Sequence, residues 1–178
     1  MEIFFIGILL FFLSGVISLF CRESIKLKLV TGIAFIATVL TIMPALNVLF
    51  GVMPNGLIIL WNGIFGEVPF VIDTLSAFFI TVISFVSFLG IFYSNGYMKP
   101  YVGKNKKFAS HCFFLPMLTA SMLLVTVVQN ALFFLIVWEM MSLASFFLVI
   151  FEDDKKDVVL EKVMKLVKDE DLEITLDE

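Results

Sequence analysis

Five apolar runs dominate this chain, over residues 3–20, 29–50, 73–94, 112–128 and 131–150. A helix rises ~1.5 Å per residue and a bilayer's hydrocarbon core is ~30 Å thick, so about twenty apolar residues cross it. No water in that core can satisfy backbone N–H and C=O groups, which restricts spanning segments to helices or closed barrels. Hydrophobic residues make up 61% of the 178, well above the share in a soluble domain. The expected fold class is therefore an all-α integral membrane protein with five transmembrane helices. A membrane domain over 1–151 is followed by a charged soluble tail over 152–178.

The basic residues set the expected orientation. They fall in three places, 22–28, 99–107 and 155–168, and none lies in 1–2, 51–72 or 129–130. Five helices put all three basic segments on one side, and the positive-inside rule makes that side cytoplasmic. The N-terminus is then out, the C-terminus in, and the protein is multi-pass in the cell (cytoplasmic) membrane. The first run is not read as a signal peptide. No Lys or Arg precedes it, while Arg22, Lys26 and Lys28 follow it, which is the opposite polarity.

Between the second and third runs the pattern breaks. Gly51, Pro54, Asn55 and Gly56 open a turn-rich stretch, and Asn62-Gly63 separates two apolar segments. That dipeptide predicts a short outer-face hairpin-like segment, with an irregular loop as the open alternative. Trp61 suits an interface. Asp73 is placed to N-cap the third helix. Ala77, Ser84, Ser87 and Ser94 form a small-residue stripe that permits close helix approach. Residues 95–111 read as a polar loop ending at an interfacial His111. Gln129-Asn130 reads as a tight turn that makes the last two helices antiparallel neighbours. In the tail, Leu160, Val163, Met164 and Val167 carry a short amphipathic pattern without chemistry of their own.

One residue stands out chemically. Glu139 is the only charge in 131–150 and falls near the middle of that run. A charged carboxylate at the bilayer centre costs about 3 kcal/mol on insertion scales, so such residues default to a functional reading, here proton translocation. Thr119 and Thr126, seven apart on one face, are candidates with Ser142 for a polar lining near it. Hydroxyls in a helix also bond their own backbone harmlessly. Elsewhere the inventory is bare. Cys21 and Cys112 form no CxxC pair, His111 is the sole histidine, and no phosphate-binding or HExxH motif occurs. No catalytic residue, cofactor, metal or nucleic-acid partner is expected, so the chain reads as a non-catalytic subunit.

Three stretches carry a family resemblance. WEMMSLASFFLV (138–149) resembles the fifth-helix motif of the antiporter-like proton-pumping subunits of respiratory complex I and its hydrogenase relatives. The MMSLAS after the glutamate is most similar to the hydrogenase-4 component B and formate hydrogenlyase branch. IDTLSAFF (72–79) and YSNGYM (93–98) resemble the segments entering and leaving that family's third helix. The resemblance covers residues 1 to about 157 and implies a protein of some fourteen helices with inverted five-helix repeats. It implies that the glutamate at position 139 pairs with a lysine on a seventh helix, and that proton transfer is driven by electron flow in an attached oxidoreductase. The implied partners are other membrane-arm subunits and the lipid bilayer. After residue 157 the sequence departs from the family, so the expectation is a truncated or frameshifted product, or a chain whose missing helices come from another polypeptide. A structural or assembly subunit with no ion-translocation role is the alternative.

Overall fold

A computed structural model describes residues 1–21, 23–51, 58–63, 66–97 and 106–150. The tail over 152–178, the turn at Pro54, Asn55 and Gly56, and the Trp61 side chain lie outside the described residues. The elements in chain order are α1 (Glu2–Phe20), α2 (Glu23–Leu49), β1 (Ile58–Gly63), β2 (Gly66–Val71), α3 (Thr74–Tyr97), α4 (Lys106–Val125) and α5 (Ala131–Ile150). Within these, Glu2–Phe20, Ile25–Leu49, Thr74–Tyr97 and Ala131–Ile150 are long and apolar enough to cross a membrane. The apolar part of α4, Ala109–Val125, is shorter.

The helices form where the apolar runs predict them, with displaced ends. α2 begins at Glu23 rather than 29, so Lys26 and Lys28 sit inside its first turns. It runs through Pro44 to Leu49, the missing proline N–H being tolerated inside a helical bundle. The polar loop expected over 95–111 is corrected more sharply. Asn95 to Tyr97 complete α3, and Lys106 to His111 begin α4. Lysine and asparagine do not oppose a helix once apolar neighbours extend it, so polarity alone misplaced those ends.

Packing is closest among the first four helices. α2 lies against both α1 and α3, and α1 also packs on α4. Glycine allows the tightest approaches. A Cβ on Gly7 would lie 2.6 Å from the Thr41 methyl, and one on Gly15 would lie 2.8 Å from the Phe113 carbonyl oxygen. The inner face of α3 is Ala77, Ile80, Ser84, Ile91 and Ser94, the small-residue stripe with two isoleucines. The Thr41 and Ser84 hydroxyls meet at 3.0 Å across the α2–α3 contact.

The hairpin is antiparallel, with Ile58 opposite Val71 and Gly63 opposite Gly66. Asn62-Gly63 is not its turn. Both residues belong to β1, facing Glu67 and Gly66, and the connection falls at 64–65. The chain after α4 zips onto the free edge of β2. Val71 donates its N–H to the Val127 carbonyl at 2.9 Å, and Gln129 donates to the Pro69 carbonyl at 3.0 Å. Pro69 has no N–H, and this edge position needs only its carbonyl. Residues 126–128, expected to finish the fourth helix, thus leave it to make these bonds.

Asp73 caps α3 as the sequence predicts. Its carboxylate accepts the Ser76 N–H at 2.7 Å. The Ser76 side chain and then its N–H hold the Asp73 carboxyl below the usual carboxylate range. That hydroxyl donates to the Thr126 carbonyl at 2.8 Å, which ties the start of α3 to the end of α4. Asn130 caps α5 in the same manner, its side-chain oxygen accepting the Leu132 and Phe133 N–H groups.

Candidate functional site on the fifth helix

α5 touches the rest of the bundle along one stripe. Phe133 packs edge-on against Phe70 of β2, and Phe147 stacks on Phe114 of α4 at 4.6 Å. Val137 and Ala144 are buried between them. Beneath this stripe an open apolar cleft of about 540 Å³ separates α5 from α1 and α4. Phe5, Ile8 and Phe12 line one wall, and Val137 and Met140 line another.

Glu139 lies on the other side of the helix and is exposed. At ~100° per residue it is turned roughly 100–160° from Met140 and Val137, the residues that face the bundle. Its surroundings are apolar. Leu135, Trp138, Leu143 and Phe146 are between 46% and 57% exposed on the same outward side. Among the described residues Glu139 forms no hydrogen bond or ion pair. A carboxylate so placed can take and release a proton, and it is open to a cationic or hydrogen-bonding group from an element packed outside α5.

Two of the three hydroxyls predicted alongside it, those of Thr119 and Thr126, are occupied locally. Thr119 is buried and donates to the Leu115 carbonyl at 3.1 Å. Thr126 donates to the Leu123 carbonyl at 2.7 Å, and the Ser142 carbonyl accepts the Ser145 hydroxyl at 2.8 Å. No hydrogen bond joins Thr119, Thr126 or Ser142 to Glu139.

Polar groups gather between α2 and α3, and apart from Ser84 sequence reading did not single them out. Asn95 donates to the Thr31 hydroxyl at 2.7 Å. Thr41 meets Ser84, and the buried Thr38 hydroxyl has no partner among the described residues. The signal was present as Thr31, Thr38 and Thr41, which share one face of α2 by helical spacing. No group of three or more His, Cys, Asp or Glu side chains that could hold a metal occurs among the described residues.

Comparison with known proteins adds two similarities. Residues 64–108 match the family described as the N-terminus of chain 5 of NADH-ubiquinone oxidoreductase (complex I). The chain is also 40% identical over 94 residues to hydrogenase-4 component B of Escherichia coli (strain K12). That alignment covers 53% of this chain and 14% of the relative, so the chain spans a small part of the relative's length.

Proposed function

From the antiporter-like membrane subunit family, which both matches support for this chain, we infer that it contributes a proton-handling carboxylate to a larger ion-translocating assembly. The group is Glu139. The observation that carries this reading is a carboxyl without a partner among the described residues, in the middle of an apolar helix long enough to span, on the face turned away from its own bundle. A residue serving only as glue within these helices would face inward, as Thr41 and Ser84 do. Facing outward, Glu139 is placed to meet a cation on a helix packed outside α5, and the family resemblance supplies that cation as a lysine. Moving a proton between such a pair changes the charge of both, which is how intramembrane acids serve proton relays. Thr119 and Thr126 then act as polar lining, with Ser142, only when hydration or a neighbouring helix draws the two threonine hydroxyls off the backbone.

The assembly is a membrane oxidoreductase of the hydrogenase-4, formate hydrogenlyase or complex I kind, and its other membrane-arm subunits are the partners. This chain works in it as a non-catalytic subunit. Its five helices run N-terminus out and C-terminus in, which puts Cys21, at the end of α1, on the cytoplasmic side. Cys21 is half-exposed and Cys112 is buried, so Cys21 is the useful topology probe. An impermeant maleimide should label it only after the membrane is opened, and ready labelling in intact cells would reverse the orientation.

The function is tested by Glu139→Gln in the assembled complex. Glutamine keeps the shape and the hydrogen-bonding oxygen but holds no exchangeable charge. Ion pumping should fall while assembly and electron transfer persist. Pumping at the unaltered ratio to electron flow would remove Glu139 from the mechanism.

A further inference from the structure

The cleft between α1, α4 and α5 holds about 540 Å³. Walls that face nothing lose their dispersion contacts, and the cost grows with the volume left, so a space of this size is filled. It does not close by collapse of α5. The edge-on contact of Phe133 with Phe70 and the stack of Phe147 on Phe114 hold that helix in place on either side of Val137 and Met140. The walls exclude several occupants. Water needs roughly two to four polar partners. The one polar side chain in the lining is Ser121, whose hydroxyl already donates to the Met117 carbonyl at 2.7 Å. A charged ligand finds no ion-pairing group there, and burying it would be costly. The lining runs from Phe5 to Phe12 on α1 and from Phe133 to Met140 on α5, a rise of ~10.5 Å on each. A helix is roughly 10–12 Å across, so that length of one fills about 1,000 Å³, far more than the cleft offers.

We propose that the cleft binds the methyl-terminal part of the acyl chains of a phospholipid. α1 and α5 are long and apolar enough to cross a membrane, which sets the cleft at acyl depth. A cavity of ~150 Å³ with aliphatic and aromatic walls takes one benzene. On that scale the 540 Å³ here has room for roughly twenty carbons. An extended chain with C–C bonds of ~1.5 Å in zigzag places about eight carbons in ~10.5 Å. Volume and length together therefore suit the ends of both chains of one lipid, side by side. Entry is from the side. Phe5, Phe70 and Phe133 close one end, with ring centroids 5.0 and 5.8 Å apart along the row. Leu9 and Phe12 of α1 are 54% and 37% exposed and form the mouth. The chains enter methyl end first, and the headgroup stays outside.

The test uses the full chain in phosphatidylcholine vesicles carrying a small share of phosphatidylcholine with a diazirine at the acyl-chain end. After illumination, adducts are mapped by peptide mass spectrometry. Contact with bulk lipid alone would mark the open face of α3, where Phe85 and Phe92 are 56% and 60% exposed, and would spare Val137, which is 2% exposed. A filled cleft should add adducts on Phe12, Val137 and Met140. Ala120→Phe sets a ring into the cleft and should remove the adducts on Val137 and Met140 while those on α3 persist. Adducts confined to exposed faces of the unaltered chain would overturn the proposal without recourse to a variant. Cleft adducts undiminished in an Ala120→Phe chain of unaltered circular dichroism would overturn it as well. Their displacement by an equal share of a polyprenol would reassign the cleft to an isoprenoid chain and overturn the phospholipid. No readout involves pumping, so the assignment stands or falls apart from Glu139.

Discussion

α2 and α5 have the same mean hydropathy, 2.2 over their best spans, yet they use polarity in opposite ways. α2 buries 39% of its span and turns Thr38 and Thr41 inward, whereas α5 buries 11% and turns its one charge outward. Composition cannot separate the two helices, but direction can. The inward Thr41 hydroxyl meets Ser84 of another helix of the same bundle and holds it, such a bond being worth about 0.6 kcal/mol in a membrane. The outward Glu139 carboxyl holds nothing among the described residues, and the proposed reading looks for its partner outside them.

The contrast is broken most severely by disturbing the close-packed side. Gly15→Val should wedge α1 from α4, because the added carbons meet backbone oxygen, which cannot rotate aside. A loss of about 2–3 kcal/mol is expected from reversible unfolding in mixed micelles followed by circular dichroism. A value near zero would mean that the α1–α4 contact is as loose as that of α5.

Asp73→Ala removes the α3 cap and should cost about 1 kcal/mol in the same assay. Its pH dependence has a definite sign. The folded carboxyl titrates below its ordinary value of about 3.9, so its contribution is complete above that value and is lost as pH falls through the folded one. The difference between Asp73→Ala and the unaltered chain should therefore shrink in acid, and a difference that grows in acid would contradict the cap.

A double-mutant cycle on Thr41→Val and Ser84→Ala sharpens the inward half of the comparison. The coupling should be close to 0.6 kcal/mol. Zero coupling would show the 3.0 Å approach to be packing without a bond.

The smallest effect belongs to the outward half. Glu139→Gln in the chain alone should change stability by no more than about 0.5 kcal/mol, since no partner within the described residues is lost. A large loss there, measured beside the Gly15 variant, would place Glu139 among the structural polar groups and weaken its functional reading.

Much of this arrangement was legible in the residues, because long apolar runs admit few structures in a bilayer. The helices, the Asp73 cap and most of the stripe follow from spacing and side-chain chemistry: Ala77, Ser84 and Ser94 are buried, while Ser87 is only half-buried. The ends were less legible. Lys106 to His111 read as loop because polarity marks interfaces as well as turns. Asn62-Gly63 fits a two-residue hairpin, but strand pairing carried on past it to Gly66. Residues 127–129 looked like helix end and turn, since nothing local announces a bond to Pro69, sixty positions earlier. At the candidate site the position of Glu139 was readable and its direction was not. The face of α5 that packs depends on Phe70 and Phe114, which come from elsewhere in the chain.

The pairing of β2 with 127–129 also has a consequence for how the chain is made. Val71 and Pro69 leave the ribosome well before Val127 and Gln129, so the strand edge they present stays open while α3 and α4 are synthesised. At ~5–20 residues per second that interval is on the order of several seconds. Over it the hairpin can neither complete its ladder nor fix the start of α3 through Ser76 and Thr126. Closure of this edge is therefore a late event that waits for α4 to be completed, and α5 begins directly after it at Asn130.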